Sequence, residues 1–211
     1  MARQQGAITV ALINQVGSPL AKEAEYVVPL WAGQEKAVAA TKSYLATMST
    51  LAHFVATYNQ DHPLLEALEA LPERLQACCN LDWSPAINML EAHHSALVLG
   101  RGYGFSVAQE AALKFKETSG IHAEAFSSAE VLHGPFALVK SGLPVLILPQ
   151  HDNSLHGLID LSRKMTQLGA KTMLSMPKGL ADLSSSTCSV QLPLPPSLHA
   201  TLDPLMNIQA F

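Results

Sequence analysis

Cysteine, charge and long apolar runs are all scarce in this sequence, and each scarcity removes a class of protein. Three cysteines occur among 211 residues: Cys78 and Cys79 are adjacent, and Cys188 is far away. That pattern is neither a disulfide framework nor a Cys-x-x-Cys metal site, and it points to a reducing compartment. Charged residues make up 14% of the chain, with 13 Lys+Arg against 17 Asp+Glu, a net charge of −4 and no basic run. Nucleic acid is not an expected partner on that balance. No apolar stretch approaches the roughly 18 residues of a membrane span. The opening residues, Met1-Ala2-Arg3-Gln4-Gln5-Gly6, lack the apolar core of a signal peptide. The expectation is a cytoplasmic protein with no membrane partner. What the chain does have is apolar material, 48% of its residues. That excludes a disordered chain and suffices for the core of one large domain or two small ones.

The hydrophobic pattern predicts an α/β protein. Ile8 to Ile13 is nearly all apolar and reads as a strand covered on both faces. Ser18-Pro19 starts a short helix through Glu23, and Tyr26 to Leu30 reads as a second strand. Val38, Thr41, Leu45, Met48, Leu51 and Val55 recur at helical spacing, predicting one long helix from Glu35 to about Tyr58. A further helix is predicted from Leu64 to Cys78. Residues 80–85 reset the pattern, with Ser84-Pro85 as another helix start, so a boundary is placed between 79 and 80. Beyond it, strands are expected at 96–99, 144–148, 171–175 and 190–192, with helices at 105–118, 128–132 and 154–168. Residues 120–127 read as a polar stretch. Strands alternating with helices imply a doubly wound, flavodoxin-like parallel sheet. Only two strands precede the long helix, and an apolar helix begins near Leu202 just before the chain stops, so truncation at both ends is expected.

The segment 100–138 carries most of the chemistry. Glu110, Lys114 and Glu117 stand at i, i+4 and i+7 on one helix face. A solvated salt-bridge stripe is the plain reading, but the rest of that helix is apolar and its start lies at the carboxyl end of a strand, where doubly wound proteins bind ligands. A carboxylate beside a lysine is held ionised, which makes Glu117 a competent general base. His133 precedes Gly134-Pro135, a helix stop that leaves its ring at a surface or cleft; a partner for the helix dipole is the plain alternative. Ser127 and Glu130 have capping-box spacing. Gly100, Gly102 and Gly104 allow a tight turn but lack the third glycine of a dinucleotide fingerprint. His122 and Glu124 have no further metal ligand at a recognised spacing. The remaining histidines, including His93 and His94, read as surface or satisfied structural residues. The segment from Ala32 to Lys42 has small side chains that suit either helix initiation or a backbone wall over a ligand.

These residues resemble the sugar isomerase (SIS) domain proteins over essentially the whole chain. Ala32-Gly33-x-Glu35-x-x-Val38-Ala39-Ala40-Thr41-Lys42, the run Glu110 to Glu117, Ile121-His122-Ala123-Glu124-Ala125 and Glu130-x-x-His133-Gly134-Pro135 are similar to the isomerase half of glutamine–fructose-6-phosphate aminotransferase. They resemble still more closely the stand-alone two-SIS aminosugar-phosphate isomerases and deaminases. The resemblance implies that residues 1–79 are the C-terminal half of a first SIS domain and that 80–211 are a second one lacking its tail. It also implies that Glu117 moves a proton between C1 and C2 of the sugar, that Lys114 hydrogen-bonds the sugar near those carbons, and that His133 assists ring opening and reaches into a neighbouring subunit's site. Val38 would line the sugar through its backbone, and Ala40 stands where the aminotransferases carry a serine. The family's phosphate-cradling loops lie in the half-domain this chain does not contain. The implied partners are a sugar phosphate and a second subunit, with no metal and no nicotinamide cofactor. The chain would then isomerise, deaminate or transfer amino groups on an aminohexose 6-phosphate; the alternatives are a non-catalytic sugar-phosphate sensor and, more weakly, a dehydrogenase.

Overall fold

In the computed structural model, which describes residues 1–184 and 187–211, the chain forms two compact units, Met1–Asn59 and Gln60–Phe211. The first contains β1 (Val10–Ile13), α1 (Pro19–Glu23), β2 (Tyr26–Pro29) and α2 (Lys42–Asn59). β1 and β2 pair in parallel, Val10 opposite Tyr26 and Ile13 opposite Pro29. The expectation that this strand is covered on both faces does not hold. Ala11 and Ile13 are buried, but Val10 is 49% and Ile8 75% exposed, so one face packs and the other is open. α1 starts as expected, with the Ser18 hydroxyl accepting the Ala21 N–H and Pro19 in the first turn.

α2 begins at Lys42 rather than at Glu35. The Glu35 carboxylate folds back to accept the Ser43 N–H at 2.7 Å, satisfying a first-turn donor from outside the helix. Residues 35–41 therefore form a loop, and Val38 matched the helical period without being helical.

The second unit opens with α3 (His62–Cys78) and α4 (Ser84–Leu90), followed by the sheet region. Asp61 caps α3 by accepting the Leu64 N–H at 3.1 Å. The two compact units divide before α3, and Cys78 at the end of that helix packs with Leu194 and Met206. Next come β3 (Ser95–Gly100), α5 (Tyr103–Ser119), β4 (His122–Ser127), α6 (Ser128–Val131), β5 (Pro144–Ile147), α7 (Leu155–Gln167), β6 (Lys171–Pro177), β7 (Val190–Leu194) and α8 (Asp203–Ala210). All five strands are parallel, in the order β4-β3-β5-β6-β7. This is the doubly wound, flavodoxin-like order anticipated from the sequence.

β4 is the strand that the hydrophobic pattern missed. It lies at one edge of the sheet, with Ser95 opposite His122 and Gly100 opposite Ser127. An edge strand has one neighbour, so it tolerates His122 and Glu124 on the solvent side of a period-two alternation with Ala123 and Ala125.

The strands alternate between two cores, as side chains of period two must. Leu97, Leu99, Val145, Ile147, Leu174 and Met176 face the α7 side, against Leu155, Leu158, Ile159 and Met165. Ala96, Val98, Leu146, Leu148, Met173 and Leu192 face the α5 side, against Val107, Ala108, Ala111, Ala112 and Phe115. Two covered faces explain why the central strands read as continuous apolar runs.

Candidate active site

Lys114 stands between two carboxylates on α5. Its Nζ lies 3.1 Å from Glu110 Oε1 and 2.9 Å from Glu117 Oε2. The helical spacing accounts for both contacts, since i, i+3 and i, i+4 positions share a face. Lys114 and Glu110 are mostly buried, whereas the Glu117 side chain keeps 35% of its exposure. Partial burial pulls the Lys114 ammonium down, but hydrogen bonds to Glu117 and Glu110, with their charges, outweigh it. The ammonium therefore sits above the ordinary lysine value and stays charged. The arrangement fixes one carboxylate oxygen of Glu117 and leaves the group accessible, as a base acting on a bound molecule requires. Glu110 makes the i, i+4 ion pair with Lys114 that a salt-bridge stripe on this face implies, though it is mostly buried rather than solvated.

The position of the cluster differs from expectation. α5 starts at the carboxyl edge of the sheet, just after Gly100, and runs back toward the amino edge. Its final turn leads directly into β4, whose first residue, His122, pairs with Ser95, and the His122 N–H bonds the His94 carbonyl at 2.8 Å. Glu117 therefore stands at the amino edge, opposite the edge named on general grounds.

His133 lies at the other edge. It follows α6 in the exposed turn after Ser127, which pairs with Gly100 at the carboxyl ends of the strands. Exposed Leu132 and Leu138 flank it. Ser127 starts α6 but makes no capping hydrogen bond; its hydroxyl accepts from Arg101 at 3.2 Å instead, so the capping box is not formed. Glu117 and His133 are separated by the length of β4, roughly 17 Å at about 3.3 Å per residue, and do not meet within one copy.

Val38 and Ala40 belong to the first unit. Their loop is anchored at its start by Asn14, whose Oδ1 accepts the Ala32 N–H at 2.9 Å and whose Nδ2 donates to the Gly33 carbonyl at 2.6 Å. Lys42 Nζ donates to the Gln34 carbonyl at 2.8 Å. Hydrogen bonding to the Ser43 N–H holds the Glu35 carboxyl below the ordinary glutamate value. Val38 is 90% exposed and Ala40 is also exposed, so the anchored loop presents small side chains and open backbone.

The glycine turn is tight for steric reasons. A Cβ on Gly100 would stand 2.3 Å from the Gly104 carbonyl oxygen, and Gly102 has φ +52°. His93 departs from the structural reading, because its Nδ1 is buried without a hydrogen-bond partner. Among the described residues no group of three or more His, Cys, Asp or Glu is placed to hold a metal ion. No helix among them is long and apolar enough to cross a membrane.

Fold and cluster together define a doubly wound α/β protein carrying a lysine-buttressed carboxylate. The sequence pattern of the SIS domain matches residues 89–210, and the chain belongs to the SIS domain family. Glutamine–fructose-6-phosphate aminotransferase of Corynebacterium glutamicum is 33% identical across the whole chain, which spans 36% of that relative. The corresponding enzyme of Symbiobacterium thermophilum is 38% identical over 70% of the chain. A candidate phosphosugar isomerase from Silicibacter pomeroyi superposes with a TM-score of 0.90 at 37% identity, covering 99% of this chain and 62% of that one. The C-terminal domain of glucosamine-fructose-6-phosphate aminotransferase from Francisella tularensis gives 0.83 at 25% identity, with the same coverage. The chain thus spans about a third of the curated relatives' length and less than two thirds of the solved ones.

Proposed function

We propose that this chain carries the acid–base residues for aldose–ketose isomerisation, deamination or amino transfer on an aminohexose 6-phosphate, with Glu117 as the base that moves a proton between C1 and C2. The observation that carries the reading is the Glu110–Lys114–Glu117 cluster, which holds Glu117 in place while leaving it open to a ligand. Proton abstraction beside a carbonyl needs a positioned base and a separate proton donor. Lys114 positions the base and directs its remaining ammonium proton to the sugar oxygens. The exposed loop carrying Val38 and Ala40 is the first unit's own candidate surface for a sugar.

His133 acts in ring opening on a second copy of the chain. The separation of Glu117 and His133 across the sheet supports this, as do the exposed leucines beside His133. That arrangement favours a homodimer with shared sites. The reading of residues 1–79 as the closing half of one SIS domain and 80–211 as a second is supported by the family match at 89–210 and by a shared order of elements. β1–α1–β2–α2 and β6–(Ala181–Ser184 turn)–β7–α8 share one order, each with neighbouring parallel strands.

The test is subunit complementation. Glu117→Gln and His133→Ala chains, each inactive on glucosamine 6-phosphate alone, regain turnover when unfolded and refolded together, because mixed dimers hold one site with both residues. Equal inactivity of the mixture would count against the shared site. Binding of glucosamine 6-phosphate with no turnover by the unmutated chain would favour a non-catalytic sensor.

A further inference from the structure

Doubly wound proteins usually hold their ligands at the carboxyl edge of the sheet, in the crevice where the strand order reverses. Here the order reverses between β3 and β5, so the crevice lies between the glycine turn after β3 and the segment after β5. That crevice is occupied by the protein itself. Gln150 is 2% exposed, and its Oε1 accepts the Gly104 N–H, in the first turn of α5, at 2.8 Å. Its Nε2 donates to Asp152, which also accepts from the Ser154 N–H and hydroxyl. A Cβ on Gly104 would stand 3.0 Å from Gln150 Oε1 and 3.2 Å from the Leu148 carbonyl oxygen, so the packing leaves no gap.

The edge is closed again beyond that point. Asp203 is fully buried and accepts the His151 N–H and the Ser197 hydroxyl, each at 2.6 Å. Anions bind helix starts through free backbone N–H groups and the positive end of the helix dipole. At the head of α5 the Gly104 donor is already committed, shared between Gln150 Oε1 at 2.8 Å and the Arg101 carbonyl at 2.9 Å. The ionised Asp152 carboxylate beside it repels any incoming phosphate.

We propose that this crevice is a self-sealed ligand site: the Gln150 side chain blocks the head of α5, so the unit binds no phosphate there and contributes its chemistry from the opposite edge. The inference deepens the sugar-phosphate reading above and rests on it for the choice of ligand. The experiment is amide NMR on the whole chain, titrated with inorganic phosphate and with glucosamine 6-phosphate to about 10 mM, a concentration that still detects millimolar binding. The amides of Gly102–Phe105 and Gln150–Ser154 are expected to show no saturable shift; a saturable shift at them overturns the proposal. A companion measurement identifies the seal. Gln150→Ala empties the space beside the Gly104 N–H, so phosphate should then give a saturable shift at the amides of Gly102–Phe105. No shift in the variant removes Gln150 from the role, and Gln150→Ser serves for the same measurement if the alanine variant does not fold. Neither readout uses turnover, so failure of the catalytic reading would show separately, in the Glu117 and His133 variants.

Discussion

At the carboxyl edge of the five-stranded sheet, Gln150 and Asp203 are enclosed and hydrogen-bonded to neighbouring loops. At the amino edge, Lys114 and Glu117 pair with each other, and a third of the Glu117 side chain stays open to solvent. Both edges hold carboxylates, but they use them differently. Enclosed polar groups whose hydrogen bonds are made inside the fold fix the loops they join. A carboxylate held on one side by a lysine and left open on the other can exchange a proton with something that arrives. In this unit the edge that general experience assigns to ligands is filled by the protein's own hydrogen bonds, and the opposite edge carries the partly open carboxylate.

Substitutions at each edge sharpen the contrast. Lys114→Met at the amino edge leaves Glu110 and Glu117 as neighbouring like charges with nothing between them. It should cut turnover of glucosamine 6-phosphate by about 10²-fold, the scale of a misplaced catalytic group; a change of less than twofold would remove Lys114 from the site. At the carboxyl edge, Asp203→Ala strands the His151 N–H and the Ser197 hydroxyl. A loss of about 1–3 kcal/mol in chemical denaturation is expected, and full stability would mean that the network is dispensable.

Asp203 also gives the edge a pH signature. Burial raises its carboxyl above the ordinary aspartate value, and this outweighs its hydrogen bonds from Ser197 and His151. The folded state therefore binds the proton more tightly than the unfolded chain. Between the ordinary value of 3.8 and the raised folded value, the Asp203 contribution to stability falls as pH rises. Asp152, nearby, runs the other way. Burial raises its carboxyl, but hydrogen bonds from Ser154 and Gln150 outweigh that and lower it, so its contribution is lost as pH falls. The difference between wild type and Asp203→Asn isolates the first effect: the variant should gain relative stability as pH increases through that window, and parallel curves would contradict the assignment. The smallest effect belongs to neither edge. Arg163 and Asp160 pair on α7 with both side chains about half exposed, so Arg163→Ala should cost no more than about 1 kcal/mol.

Much of this was legible in the sequence, for physical reasons. Central strands such as Val145–Ile147 are buried on both faces and read as apolar runs, and α5 reads from its small apolar face. The i, i+4, i+7 spacing of Glu110, Lys114 and Glu117 is local, so their shared face could be read without a structure. β4 was illegible as an apolar run because it is an edge strand of alternating small and polar residues. The start of α2 was hidden because Glu35 reaches back across the loop to cap it. The edge on which Glu117 stands depends on where α5 ends relative to β4, which was not recognised as a strand. The seal was beyond reach of any local pattern, since Gln150 meets Gly104 and His151 meets Asp203 across long sequence separations. Val38 and Ala40 stood in a segment of small side chains that the helical period also claimed, and the loop they form shows only through its anchoring by Asn14.

The most direct test of Glu117 as the base is proton exchange, which needs only the first chemical step. Fructose 6-phosphate incubated with the chain in D2O should take up deuterium at C1, followed by NMR. Glu117→Gln should slow that uptake by about 10²- to 10⁴-fold, with fold and ligand affinity unchanged. Uptake by the variant at the rate of the unmutated chain would contradict the account.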